Sequence, residues 1–305
     1  MSERPPAALR SFLFVAGNHQ QRFAKALQSG ADAVIFDLED AVPPAQKQTA
    51  REAIAAVLQQ PRQCKAYVRL NGVPSGETMA DLEAIASASL DGVVLPKAES
   101  VDDVRAVAYL LQRAESQRGL ATGALDFIAL IESAKALLHL EEIAAASPRL
   151  SRLAFGAADY VVDLDLQWTE EEAELAYARA RLTHASRTSG LEPPIDAVVV
   201  QVNDTGRFRA SARRARAMGF LGKLCIHPSQ VEACNEVFTP STEEVEHARR
   251  VLEAFAKSEA AGSAALQVDG VMIDYALVRK ARRVLALARQ SGAGFALFAV
   301  WAICP

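Results

Sequence analysis

ADAVIFDLED, residues 31–40, is an apolar run that ends in three acids, Asp37, Glu39 and Asp40. An unbroken apolar run of this length marks a strand buried on both faces, as in a parallel sheet. The acids at its far end are costly to bury unless a cation or a hydrogen-bond donor meets them.

Seven further runs resemble it: SFLFVAG (11–17), KAYVRLNG (65–72), GVVLPKAE (92–99), DFIALIES (126–133), RLAFGAADY (152–160), DAVVVQV (196–202) and GKLCIHP (222–228). Between them lie amphipathic Ala- and Leu-rich stretches such as QQRFAKALQSG, TAREAIAAVLQQ, MADLEAIASASL and AKALLHLEEIAAAS. Several close on Gly or are followed by Pro, as helix stops are. Strand and helix alternating about eight times predict a closed (β/α)8 TIM barrel. The competing open, doubly wound sheet usually carries a Gly-rich phosphate loop after its first strand, and VAGNHQQ is not one.

Residues 1–257 are read as this barrel. AKSEAAGSAALQVDG, 256–270, marks a boundary, and 258–305 reads as linker, lid and amphipathic helix. That piece is too small to fold alone and must pack on the barrel or on a neighbouring subunit. The terminal run GFALFAVWAIC, 294–304, falls short of the roughly 18 apolar residues of a membrane span.

Half of the 305 residues are hydrophobic, enough for a sizeable core. A net charge of −4 argues against a nucleic-acid partner. Cys64, Cys225, Cys234 and Cys304 show no metal-type spacing and read as reduced thiols. MSERPPAALRS lacks the apolar centre of a signal peptide. The expectation is a cytoplasmic protein without a membrane partner.

Catalytic groups in such a barrel sit at the C-terminal strand ends. That rule selects Asp37, Glu39 and Asp40; Arg69 and Asn71; Lys97 and Glu99; Glu132; Gly156 and Asp159; and His227. Acids crowded beside cations suit a divalent cation and a carboxylated substrate. Glu132 and Asp159 either hold Mg2+, which takes few protein carboxylates and keeps waters, or bond nearby backbone N–H groups. Arg69 needs a fixed anion, either a strand-two acid or a substrate carboxylate. Asp37, Glu39 and Asp40 read as groups that orient waters, Arg69 and Lys97. Lys97 is more simply ion-paired than a Schiff base. Gly156, Ala157 and Ala158 either let backbone N–H groups approach a carboxylate or oxyanion, or form a tight turn. His227, before Pro228, reads as a satisfied helix start rather than a base. Arg22 and Lys25, one helical turn apart, either meet phosphates at the mouth or are solvated.

RSFLFVAGN, RFAKALQSGADAVIFDLEDAV, VRLNG, GVVLPKAES, IALIES, LAFGAADY, GFLGKLCIHPSQV and DGVMIDYALVRKA together resemble the citrate lyase beta-subunit-like family of acyl-CoA lyases, kin to malyl-CoA and citramalyl-CoA lyases. The motifs run in family order over roughly residues 10–285. The resemblance implies Mg2+, or Mn2+ in its place, with Glu132 and Asp159 as ligands. It implies that Arg69 grips the substrate carboxylate and that Arg22 and Lys25 meet the phosphates of coenzyme A. Asp274, in VMID, would sit on a C-terminal lid and complete the active site of an adjacent subunit in a homotrimer or dimer of trimers. Two positions depart from the family: Ala16 and Ala276 stand where Pro is usual. The implied reaction cleaves a 3-hydroxy-carboxyacyl-CoA, such as malyl-, citramalyl- or citryl-CoA, into an acyl-CoA and a 2-oxo acid, with Asp274 protonating the thioester enolate. The alternatives are a malyl-CoA-type thioesterase, a metal-dependent aldolase acting on free hydroxy oxo acids, and a citrate lyase complex subunit acting on acyl carrier protein.

Overall fold

Side chains of a strand alternate in direction, so a strand buried on both faces must meet two apolar layers. β2 (Ala33–Asp37) does so: Ala33 and Ile35 join one cluster inside the sheet, while Val34 and Phe36 join another against the helices. The computed structural model describes residues 9–263 and 265–290. Among them β2 pairs in parallel with β1 (Ser11–Ala16) and β3 (Lys65–Arg69). The sheet continues through β4 (Gly92–Leu95), β5 (Asp126–Ile131), β6 (Arg152–Phe155), β7 (Ile195–Asp196) and β8 (Gly222–Cys225). β8 pairs back with β1, and the barrel closes. The eight-stranded parallel barrel expected from the sequence is the fold.

The helices around it are α1 (Phe23–Leu27), α2 (Lys47–Leu58), α3 (Thr78–Ile85), α4 (Val101–Gln117), α5 (Ala134–Leu138), α6 (Leu140–Ala144), α7 (Ala157–Asp163), α8 (Ala176–Thr188), α9 (Thr205–Ala217) and α10 (Val231–Phe238). Two stretches differ from the expected strands. RLAFGAADY is a strand only to Phe155; Gly156 turns the chain and α7 begins at Ala157, so Asp159 lies in a helix's first turn. DAVVVQV contributes little more than Asp196 to the sheet. Its later carbonyls are met by side chains instead: Val199 accepts from Gln230 Nε2 at 2.8 Å and Val202 from Ser229 Oγ at 3.1 Å.

The chain divides into a unit running Leu9–Phe238 and a second beginning at Thr239. The division falls ahead of the boundary read at 257 because α11 (Thr242–Ala260) shares a core with later elements. Its Ala248, Val251 and Phe255 cluster with Ile273 of a hairpin strand and with Val278 and Ala281 of α12 (Tyr275–Gln290). The hairpin, β9 (Leu266–Val268) and β10 (Val271–Ile273), turns through Asp269-Gly270, both with positive φ, the pair that suits a tight two-residue turn. The tail 293–305, with Cys304, lies outside the described residues. No described helix is long and apolar enough to cross a membrane.

Candidate active site

Strand alternation also places the polar groups. Ile35, Tyr67 and Leu130 belong to the apolar cluster inside the barrel. Two residues on, in the same inward phase, come Asp37, Arg69 and Glu132. All three line a cavity of about 620 Å3, which Gly156, Ala157, Ala158, Asp159, Arg22, Lys25 and His227 also line. Glu39, Asp40 and Lys97 stand outside that lining.

The acids after β2 are met by cations. Asp37 accepts from Arg69 Nε at 2.7 Å and Nη2 at 2.6 Å, a two-pronged pair in register across β2 and β3. Asp37 also accepts from the backbone N–H of Glu39 at 2.9 Å and of Ala41 at 3.3 Å. Arg69 lies over the Phe14 ring, 5.0 Å from its centroid. Glu39 bridges Arg69 Nη1 at 3.0 Å and Lys97 Nζ at 2.6 Å, and Asp40 meets Lys97 at 2.9 Å. Burial alone would lower the Lys97 ammonium's pKa, but Glu39 and Asp40 hold it above the ordinary lysine value.

Glu132 is differently placed. Its Oε1 accepts from the Lys97 backbone N–H at 2.7 Å, while Oε2 is buried with no partner. Burial, then the like charges of Glu39 and Asp159, push this carboxyl up to about 8. A bare carboxylate oxygen beside a second acid is the donor set a divalent cation would take. Gly156 leaves the room: a Cβ there would lie 2.4 Å from Glu132 Oε2. Among the described residues no cluster of three or more acids, His or Cys converges as a closed metal cage. Glu132 and Asp159 are thus a two-carboxylate set, which fits a cation that keeps positions for water and substrate.

Other predicted groups resolve as follows. The Gly156 N–H, one of three offered to a ligand, is taken by Ile131 O at 2.9 Å, so Gly156 contributes space rather than a donor. His227 Nδ1 accepts from Ser229 N at 3.2 Å and starts the short 3-10 turn Pro228–Gln230. Arg22 and Lys25 are exposed. Asp274 lies in the second unit and caps α12: its Oδ1 accepts from Ala276 N at 2.8 Å and Leu277 N at 3.1 Å. A proline at 276 could not make the first of these bonds. Cys64, Cys225 and Cys234 are free thiols.

Two polar systems carry no sequence signal that singles them out. Lys47 donates to Leu38 O at 2.7 Å, Glu39 O at 3.2 Å and Asn71 Oδ1, tying down the loop after β2. Behind β7 and β8, Asp196 and Lys223 point outward and pair with each other. Arg179 joins Asp196 at 2.8 Å and Glu172 at 2.8 Å, and Ser211 bonds Lys223 at 2.9 Å. All five residues of this network are buried.

The model of the HpcH/HpaI aldolase/citrate lyase family matches residues 10–228. The citrate lyase subunit beta of Escherichia coli K12 is 35% identical over 294 residues, covering 96% of this chain and 97% of the relative. The L-malyl-CoA/beta-methylmalyl-CoA lyase of Cereibacter sphaeroides is 36% identical over 312 residues, covering 95% and 98%. Among solved structures, the protein CitE of Mycobacterium tuberculosis in complex with magnesium, acetoacetate and coenzyme A superposes with a TM-score of 0.74. It is 32% identical, over 94% of this chain and 99% of that one.

Proposed function

Because this chain belongs to the HpcH/HpaI aldolase/citrate lyase family, we propose that it is a divalent-cation-dependent carbon–carbon lyase acting on a 3-hydroxy-carboxyacyl-CoA. The observation that carries this reading is the bare, buried Oε2 of Glu132, in a cavity shared with Asp159 and Arg69. The relatives named above, two lyases and a magnesium–coenzyme A complex, support it.

Glu132, through Oε2, and Asp159 would hold Mg2+, with Mn2+ as a substitute. When bound, the cation supplies a Lewis acid that stabilises negative charge on the substrate's hydroxyl oxygen. Arg69 receives the carboxylate beside that hydroxyl. Asp37 takes two of its five N–H groups and fixes its plane, Glu39 faces Nη1 at 3.0 Å without taking a hydrogen bond, and the N–H groups left over serve the substrate carboxylate. The first N–H groups of α7, at Ala157 and Ala158, lack acceptors inside their helix and serve as further donors. The substrate hydroxyl gives its proton to water and its oxygen becomes the carbonyl of the oxo acid as the bond between its carbon and the thioester α-carbon breaks; that bond's electron pair passes to the thioester as an enolate. Asp274, on the lid of an adjacent subunit in a homo-oligomer, protonates that enolate. Arg22 and Lys25 meet the phosphates of coenzyme A at the mouth.

The test is to incubate the protein with Mg2+ and malyl-, citramalyl- and citryl-CoA separately, and to identify products by mass spectrometry. A lyase gives an oxo acid and a shorter acyl-CoA; a thioesterase gives the hydroxy acid and free coenzyme A. Chelation and dialysis should abolish turnover, and Mg2+ should restore it. Full activity after chelation rejects the metal assignment.

A further inference from the structure

Asp37, Glu132 and Asp159 line one cavity, and Glu39 and Asp40 lie just outside it, joined through Lys97 to Glu132. A hard cation takes whichever oxygens reach it, and each protein oxygen it takes is a position lost to substrate. Such a site needs a device that keeps surplus acids away. Asp37 is restrained by Arg69 and by two backbone N–H groups. Glu39 is not restrained in that way. Its Oε2 is buried without a hydrogen bond, 3.0 Å from Arg69 Nη1 but misaligned with it. Arg69, which that Oε2 faces, lines the same cavity as Glu132 and Asp159, so Glu39 stands at the edge of the cation site.

Lys97 supplies the restraint. It follows β4 with a left-handed backbone, φ 47°, unusual for a residue with a side chain. In continued strand phase Lys97 would follow Leu95 toward the helices; the left-handed turn redirects it. One residue then works in two directions. Its N–H donates to Glu132 Oε1, leaving Oε2 as that residue's one bare oxygen. Its ammonium reaches back to Glu39 Oε1 at 2.6 Å and Asp40 Oδ2 at 2.9 Å.

We propose that Lys97 is a positioning residue that holds Glu39 and Asp40 off the divalent cation, so that the cation keeps coordination positions open for the substrate's oxygens. The inference rests on the metal-dependent reading above. Freed of the ammonium, Glu39 rotates its carboxylate onto the cation and takes a water's place.

The experiment compares wild type with Lys97→Met and Lys97→Gly, each verified as folded by circular dichroism and thermal melting. Mg2+ affinity is measured by calorimetry, and the number of exchangeable waters on bound Mn2+ by proton relaxation. Both variants are expected to bind Mg2+ about tenfold more tightly, the scale on which neighbouring groups tune such sites, and to lose at least one Mn2+-bound water. Oxaloacetate or pyruvate should then bind the Mg2+ form more weakly. Agreement between Met and Gly assigns the effect to the ammonium, since Gly also relieves the left-handed backbone. Lys97→Arg should restore wild-type values, and Glu39→Gln added to Lys97→Met should restore the water count. Tighter Mg2+ with an unchanged water count overturns the proposal, because charge alone would do that. Weaker binding of both cation and oxo acid overturns it too, leaving Lys97 a structural support. A wild type that binds no Mg2+ or Mn2+ instead takes down the metal-dependent reading, and this inference with it.

Discussion

The backbone of Gly156 passes so close to Glu132 that a Cβ on it would lie 2.4 Å from both Glu132 Cβ and Oε2. Its φ of −95° is open to any residue, so the close approach, not the turn, is what excludes a side chain. Gly156→Ala should therefore force the backbones of Gly156 and Glu132 apart, since no rotamer moves Cβ, and displace Glu132 Oε2 with them. The expected cost is about 1–3 kcal/mol of stability from overpacking, with Mg2+ affinity reduced about 10–100-fold. Calorimetric titration with Mg2+ checks this; unchanged affinity would mean that Oε2 is not the ligand atom.

The buried network behind β7 and β8 predicts an acid-dependent stability. Burial alone would raise the Asp196 carboxyl, but Lys223 and Arg179 hold it below its ordinary 3.8. A depressed folded value means stability that is fully present above about pH 4 and is lost as pH falls through the lower folded value. Asp196→Asn removes that contribution and leaves Lys223, which is fully buried, short of its counter-charge. A loss of about 3–5 kcal/mol at pH 7 is expected, narrowing below pH 4. Urea unfolding at pH 7 and pH 3.5 measures both; an equal loss at the two values contradicts the assignment.

That network also shows where the sequence stops being informative. β2 is legible because burial on both faces leaves an unbroken apolar run, and Asp37 is legible as the first polar residue beyond it. Arg69 and Glu132 follow by the same alternation. Lys223 is hidden because GKLC reads as an ordinary strand with one polar residue, and its partner Asp196 lies 27 positions away, sharing its carboxylate with Arg179 of α8, with nothing to mark any of the three. Asp159 is legible as an acid at the barrel mouth but not as a helical one, since Gly and Ala carry no periodicity to separate the end of a strand from the start of a helix. The left-handed backbone of Lys97 carries no glycine to announce it. Positions set by contact between distant residues leave no local pattern.

Glu132 makes the metal-free protein unusually sensitive to alkali. Its folded value of about 8 stands above the ordinary 4.5, so the folded state holds the proton longer than the unfolded chain does. Stability from this group is full below about pH 4.5, declines as pH rises, and is gone once pH passes about 8. The whole effect is on the order of 5 kcal/mol. Glu132→Gln, which needs no proton, should melt at a higher temperature than wild type at pH 8.5 in EDTA. Near pH 4.5 the difference should shrink, while cation binding is lost throughout. Melting curves of both proteins after chelation decide it; parallel pH profiles would show that the carboxyl is ionised without penalty.

Asp274 allows its two roles to be separated. As the cap of α12 it accepts from Ala276 N and Leu277 N. As the proposed acid it must also carry a transferable proton. Asp274→Ala removes both and should cost about 1 kcal/mol of stability through the lost cap and roughly 10²–10⁴-fold in kcat. Asp274→Asn keeps an equally good capping oxygen but cannot exchange a proton as a carboxyl does. Its melting temperature should stay near wild type while kcat falls almost as far as in Asp274→Ala, with little change in the KM of the CoA thioester. Turnover by Asp274→Asn at the wild-type rate would confine this residue to starting α12.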